Sequence, residues 1–286
     1  AASDVYKRQE LAYVNLKARH NLNFTIGKQF VNFGGYEYYV NSIRVREFSE
    51  FNNLLTAYQA GISGNWQVNP DHELCFQIVN NRNGNDEDIY PTGLPEGTAK
   101  AKIPFMYTVN WNSYYLDKTL QLRYATAVGQ QTRKRYSYYF TCGNTYEKGP
   151  LLTYLDVMYT RQGIDQHGVV SRLPGTPHTA MNTEYLSIIG DVDYRVHPQW
   201  NVYVKGAYET ARVYKSNGDF RKGMYRRSWN AQSSVEFFPF KQLDLFVFVL
   251  YTYRGVILEK AATQMGAIEP DTHRISLGLV YSIPVF

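Results

Sequence analysis

Cysteine is nearly missing from this 286-residue chain, which holds only Cys75 and Cys142. A fold stapled by disulfides is therefore not expected. Charge is sparse as well, at 19% of residues against 44% hydrophobic and 16% aromatic. Disordered chains have the reverse composition, rich in charge and poor in aromatics. Long apolar runs are also lacking. The longest lies around Phe246–Tyr251, far short of the roughly 18 residues that a spanning helix needs. No segment repeats its apolar residues at the three- and four-residue spacing of an amphipathic helix. The opening residues 1–9 fit no periodic pattern and follow neither an initiator Met nor a signal peptide. They are expected to be a leader or an artefact outside the fold, with one domain over 10–286.

What is present is alternation. Leu120, Leu122, Tyr124, Thr126 and Val128 share one parity, while Gln121, Arg123, Ala125, Ala127 and Gly129 share the other. Successive side chains of a strand take opposite faces, so this segment has one apolar and one small or polar face. The same pattern predicts strands near residues 10–19, 22–33, 53–68, 72–82, 102–116, 118–131, 135–145, 150–162, 182–196, 199–213, 225–238, 242–255 and 271–286. Tight turns alternate with long polar stretches at 34–52, 83–101, 163–181, 214–224 and 256–270, with 131–135 the one short exception. Short turns on one rim and long loops on the other are the plan of a transmembrane β-barrel. A soluble sandwich would have shorter strands and a more charged outer face.

Aromatics cluster near predicted strand ends, as at Trp111 with Tyr115, Tyr136 with Tyr138 and Tyr139, and Tyr251 with Tyr253. Amphipathic rings are favoured where hydrocarbon meets headgroups, so barrels carry aromatic girdles. The terminal Phe286 is similar to the signal read by the bacterial barrel-assembly machinery, although Pro284 must bend the strand to align it. If the last strand descends to the periplasm, the strand at 10–19 descends too. An odd number of strands is then expected upstream, three of them giving an even total of sixteen.

The runs Thr25-Ile26-Gly27-Lys28-Gln29-Phe30, Phe33-Gly34-Gly35-Tyr36-Glu37-Tyr38 and Arg46-Glu47-Phe48-Ser49-Glu50-Phe51 resemble the phosphate-selective porin O/P family of Gram-negative outer membranes. The resemblance implies a sixteen-stranded, often homotrimeric diffusion channel narrowed by an inward loop, with basic residues selecting anions in some members. The loop 34–52 is then the expected constriction, with Arg44 and Arg46 as its cations and Glu37, Glu47 and Glu50 as counter-charges.

Parity places Lys17, Arg123, Lys205, Arg195 and Arg274 on inner faces, together with the acids Asp156, Asp191, Asp193, Glu209 and Glu236. Rings of Arg or Lys favour anions and rings of carboxylates favour cations, and this lumen has both. Arg133-Lys134-Arg135, Arg221-Lys222 and Arg226-Arg227 are expected at the outer rim, where they could meet lipopolysaccharide phosphates. No basic stripe suggests nucleic acid. Asn83, Asn85, Asp86 and Asp88 could hold Ca²⁺ but lack a flanking helix–loop–helix. His167 and His178 lack metal-ligand spacing, and neither a metal nor a cofactor is expected. His273 and Ser276 fall on opposite faces of the last strand, which argues against a lipid-hydrolysing barrel. A plugged accessory barrel bound to a partner is the remaining alternative to a channel.

Overall fold

The computed structural model describes residues 11–40, 42–82, 90, 93–173, 178–240 and 242–282. Residues 1–9, the oxygen-rich group at 83–88 and the terminal Phe286 lie outside them. The strands are β1 (Ala12–Arg19), β2 (Leu22–Phe30), β3 (Tyr58–Asn69), β4 (His72–Asn80) and β5 (Phe105–Tyr115). They continue as β6 (Leu120–Thr132), β7 (Arg135–Lys148), β8 (Leu151–Ile164) and β9 (Met181–His197). The last are β10 (Trp200–Val213), β11 (Gly223–Phe237), β12 (Leu245–Leu258) and β13 (Thr272–Tyr281). All thirteen form one antiparallel meander in sequence order, open between β1 and β13. Strands such as β8, with 14 residues, exceed the roughly 9–11 that a tilted strand needs to cross a bilayer. No helix among the described residues is long and apolar enough to do so.

The alternation resolves into two environments. In β6, Thr126 and Val128 are exposed on the outer face, while Ala125, Ala127 and Gly129 are buried inside. In β10, Val204 points out and Lys205, only 2% exposed, points in. The outer face carries Phe76, Phe140, Leu155, Val204, Val235 and Leu279, a polarity suited to lipid. Outward aromatics pair across strands: Trp200 meets Phe237 at 4.7 Å and Tyr208 meets Trp229 at 4.3 Å between ring centroids. Tyr139 departs from the expected girdle. It faces inward, 6% exposed, against Phe33 and His167.

Of the strand limits that differ from the sequence pattern, two border the inward segment. β2 stops at Phe30 rather than near 33, and β3 starts at Tyr58 rather than near 53. The intervening segment leaves the sheet and folds into the lumen, its base closed where Val31 donates its N–H to the Ala57 carbonyl at 2.9 Å. Within it sit two one-turn helices, α1 (Ser42–Val45) and α2 (Glu50–Asn53); a third, α3 (Lys260–Thr263), lies between β12 and β13. Elements this short are invisible to a 3.6-residue periodicity. A local signal did exist for α2, since the Ser49 hydroxyl caps it by accepting from the Asn52 N–H at 3.3 Å. The buried apolar cluster lies inside the wall, where Val31, Phe33, Tyr38 and Phe51 of this segment pack with Tyr139, Met158, Tyr185 and Ile189.

Candidate functional site

The inward loop, residues 31–57, follows the inner wall from β4 to β13, and each anchor pairs a loop group with a wall group. At β4 the Asn32 N–H donates to the Gln77 side chain at 3.0 Å. Close approach starts at two glycines. Gly34 and Gly35 have φ of +75° and +80°, a region open to glycine at no steric cost. The Gly35 N–H donates to the Arg123 carbonyl of β6 at 3.1 Å. On the wall, a Cβ at Gly143 of β7 would meet the Gly35 Cα at 2.6 Å, so a glycine here lets the two backbones touch.

Further along, Asp156 of β8 accepts the backbone N–H groups of Tyr36 and Glu37 at 2.8 and 2.9 Å. Glu37 is fully buried and pairs with Lys205 of β10. It also accepts from the Ser49 N–H at 2.9 Å, the Ser49 hydroxyl at 2.6 Å and the Asn52 amide. Lys205 donates in addition to the Glu47 carbonyl at 2.7 Å. Glu209 of β10 receives the N–H groups of Glu50 and Phe51 at 3.2 and 2.9 Å, satisfying donors that the first turn of a helix leaves free. Arg46 pairs with Glu236 of β11 and lies over the rings of Tyr203, Phe246 and Phe248. Glu47 pairs with Arg274 of β13, and Glu50 with Arg226 and Arg254, both of which also hold Glu269.

This arrangement changes what several sequence-predicted residues can do. Lys205 and Arg46 are not free lumen cations, because each is buried against a carboxylate and a ring or carbonyl. Asp156, Glu209 and Glu236 hold the loop rather than line open water. Arg226, expected at the outer rim, turns inward and is 2% exposed. Among the predicted cations, three remain accessible at the loop or on β1, while Arg195, half-buried over the Phe238 ring, lines the chamber below the loop. Arg44 is exposed on the underside of the loop, beside Tyr36. Arg123 is half-buried over the Tyr39 ring at 5.1 Å, and Lys17 is exposed on β1. None of the three makes an ion pair among the described residues. Arg274, although paired, keeps 57% of its side chain exposed. Asp191 and Asp193 face a chamber below the loop. His273 bonds the Tyr251 hydroxyl at 2.7 Å on the outer side of β13, whereas Ser276 has the opposite parity.

Sequence reasoning missed Glu269 and Arg254, which meet Arg226 and Glu50 from distant parts of the chain. It also missed Asp165, whose partners lie close by in one loop and the following strand. Asp165, after β8, gathers the N–H groups of Gly168 and Ser171, the Ser171 hydroxyl and the Tyr185 hydroxyl. This knot holds His167 against the rings of Phe51, Tyr139 and Tyr185, with centroids 5.1, 6.1 and 5.2 Å away. Burial pushes the His167 imidazole down to about 3, and it also raises the Tyr38 phenol. Since an unfolded His titrates near 6.5, the unfolded chain binds a proton that the folded loop refuses between pH ~6.5 and ~3. Stability is full above that window and falls as pH drops through it, by up to about 1.4 kcal/mol per unit. A His167→Phe variant should lose this acid sensitivity, read as hydrogen-exchange protection of residues 165–173 from pH 7 to pH 4. Identical profiles for the two proteins would refute the assignment.

The fold has clear relatives. The phosphate-selective porin O and P family matches residues 2–283. Outer-membrane expressed OmpT of Vibrio cholerae superposes with a TM-score of 0.56 at 11% identity, covering 95% of this chain and 80% of that one. The outer membrane channel DcaP of Acinetobacter baumannii gives 0.56 at 10% identity, covering 91% and 71%. An anion-selective porin from Comamonas acidovorans gives 0.56 at 9% identity, covering 93% and 76%. No curated protein sequence is significantly similar to this chain. A one-sheet antiparallel wall, apolar outside and lined by an inward loop, together with a family match over nearly its whole length, places the chain in the phosphate-selective porin O and P family.

Proposed function

We propose that this outer-membrane porin, a diffusion channel of the Gram-negative type, is narrowed by the loop 31–57 and leans toward anions there. The observation that carries the reading is the pairing of acids at loop level. Glu37, Glu47, Glu50 and Glu236 are each matched to Lys or Arg, while Asp156 and Glu209 are taken up by backbone N–H groups. Arg44 and Arg123 are left without a carboxylate partner among the described residues, with Lys17 and Arg274 as further cations. Uncompensated guanidinium groups at a constriction favour anions. A transverse field from unpaired charges of both signs has less support, because most of the opposed charges neutralise one another across the loop–wall contact.

The test is reversal potential across a planar bilayer under a KCl gradient, with full-length protein. Arg44→Glu and Arg123→Glu should each move the potential toward cation preference, and the double change should reverse its sign. Unchanged potentials would remove these residues from the constriction. We further infer a homotrimer, supported by a trimer form of Vibrio cholerae OmpT, which superposes at TM-score 0.52 and 12% identity over 78% of that chain. The exposed Arg133 and Lys134 between β6 and β7 are suited to lipopolysaccharide phosphates. A channel rather than a lipid hydrolase is the better reading, since His273 and Ser276 lie on opposite faces of β13.

A further inference from the structure

Beneath the loop, toward the short-turn rim, lies a chamber of about 600 Å³. Its floor is a patch of wall fixed by strand register. Asp191 of β9 faces Tyr154 of β8, and Asp193 of β9 faces Tyr203 of β10. Tyr36 of the loop covers the patch, its ring 4.8 Å from that of Tyr154. Asp191 is only 4% exposed, yet neither of its carboxylate oxygens has a hydrogen-bond partner among the described residues. The Tyr154 hydroxyl, on a side chain 5% exposed, is likewise unpartnered.

The donors closest to Asp191 in the wall are committed elsewhere, although Arg44 and Arg195 also line the chamber. Lys205, its register partner on β10, gives its ammonium group to Glu37 and the Glu47 carbonyl. The Tyr203 hydroxyl donates to the Val45 carbonyl at 2.9 Å, and Arg46 is held by Glu236. Arg195, on the same face as Asp193, lies 3.6 Å above the Phe238 ring. A buried carboxylate without a donor is costly, and native proteins pair such groups. The surrounding rings add a second preference, because Tyr faces attract cations within about 6 Å of the centroid.

We propose that this chamber is a binding site for the primary ammonium group of a small organic cation. Asp191 takes the charge, Asp193 adds a second carboxylate, and the Tyr36 and Tyr154 rings receive the aliphatic body. Arg44, on the underside of the loop, also lines this chamber, but the proposal does not depend on which ion sign the constriction favours.

The probe is 1,4-diaminobutane added to full-length protein in a planar bilayer. It should block single-channel current in a concentration-dependent way, more strongly from the turn-rim side, while butyrate at equal concentration should not. Asp191→Asn should weaken the block at least tenfold, and Asp191→Glu should restore most of it. Circular dichroism showing native strand content confirms that each variant is folded. If the Asp191→Asn variant fails to fold, displacement of the diamine by excess methylammonium in unmodified protein supports the site, and failure of displacement overturns it. Block that is insensitive to Asp191→Asn, or matched by butyrate, overturns the proposal, as does an absence of block. Because Arg44 also lines the chamber, block is read with Arg44 unchanged and reversal potential without diamine, which keeps the two tests distinguishable.

Discussion

Replacing Glu37 with Gln should release the inward loop and raise single-channel conductance. The variant leaves the Lys205 ammonium group buried and uncompensated, and removing one partner of a buried pair typically costs about 3–5 kcal/mol. Glu37 also receives the Ser49 N–H, the Ser49 hydroxyl and the Asn52 amide, so the cap of α2 loosens with it. Lys205→Met should act similarly, by stranding the Glu37 carboxylate. The double variant Glu37→Gln, Lys205→Met should be less destabilised than the sum of the two single changes. Replacing both partners of a buried pair by uncharged groups of similar volume is often close to neutral. Conductance and urea stability of all four proteins form a double-mutant cycle. Strict additivity, or unchanged conductance in both single variants, would show that the pair does not hold the loop.

The second large effect belongs to the outer wall. Val204→Arg should destabilise the barrel by about 2–4 kcal/mol, the cost of a guanidinium on the lipid face of a strand if this position lies in the middle of the bilayer. Val204 is 51% exposed outward, while its neighbour Lys205 is 2% exposed inside. One residue of parity therefore separates a position hostile to charge from one that carries it. Urea unfolding from phosphatidylcholine vesicles measures the difference. A cost below about 0.5 kcal/mol, the range of ordinary surface changes, would mean that this face does not meet hydrocarbon.

The wall was legible in the sequence because each strand separates two media, and period-2 alternation records which side chain meets which. Ala125, Thr126, Ala127 and Val128 fall on the faces their parity predicts. Parity also put Lys205, Glu209 and Glu236 inside, but it carries no information about what stands opposite them. Their partners arrive from a loop more than 150 positions earlier in the chain, and only the folded wall brings the two together. For the same reason Tyr139 reads as a girdle aromatic in sequence. Its neighbours Tyr136 and Tyr138 do face out, and nothing local shows that a Phe33 ring waits inside. Motif resemblance points to the loop, while the period-2 pattern sets its limits too narrowly, at 34–52. Val31 and Phe33 continue the apolar pattern of β2 after the backbone has already left the sheet.

The anchors of the loop are spaced along the chain in a way that orders assembly. Residues 34–53 are synthesised early, yet their partners sit at Asp156, Lys205, Glu236 and finally Arg274, which is 227 positions from Glu47. Contacts of such long sequence separation form late in folding. The loop therefore has its full set of anchors only once β8 through β13 have joined the wall. The last of these anchors, Glu47 to Arg274, closes only when the last described strand is in place, so the loop is fully tied down by a strand more than 200 positions downstream.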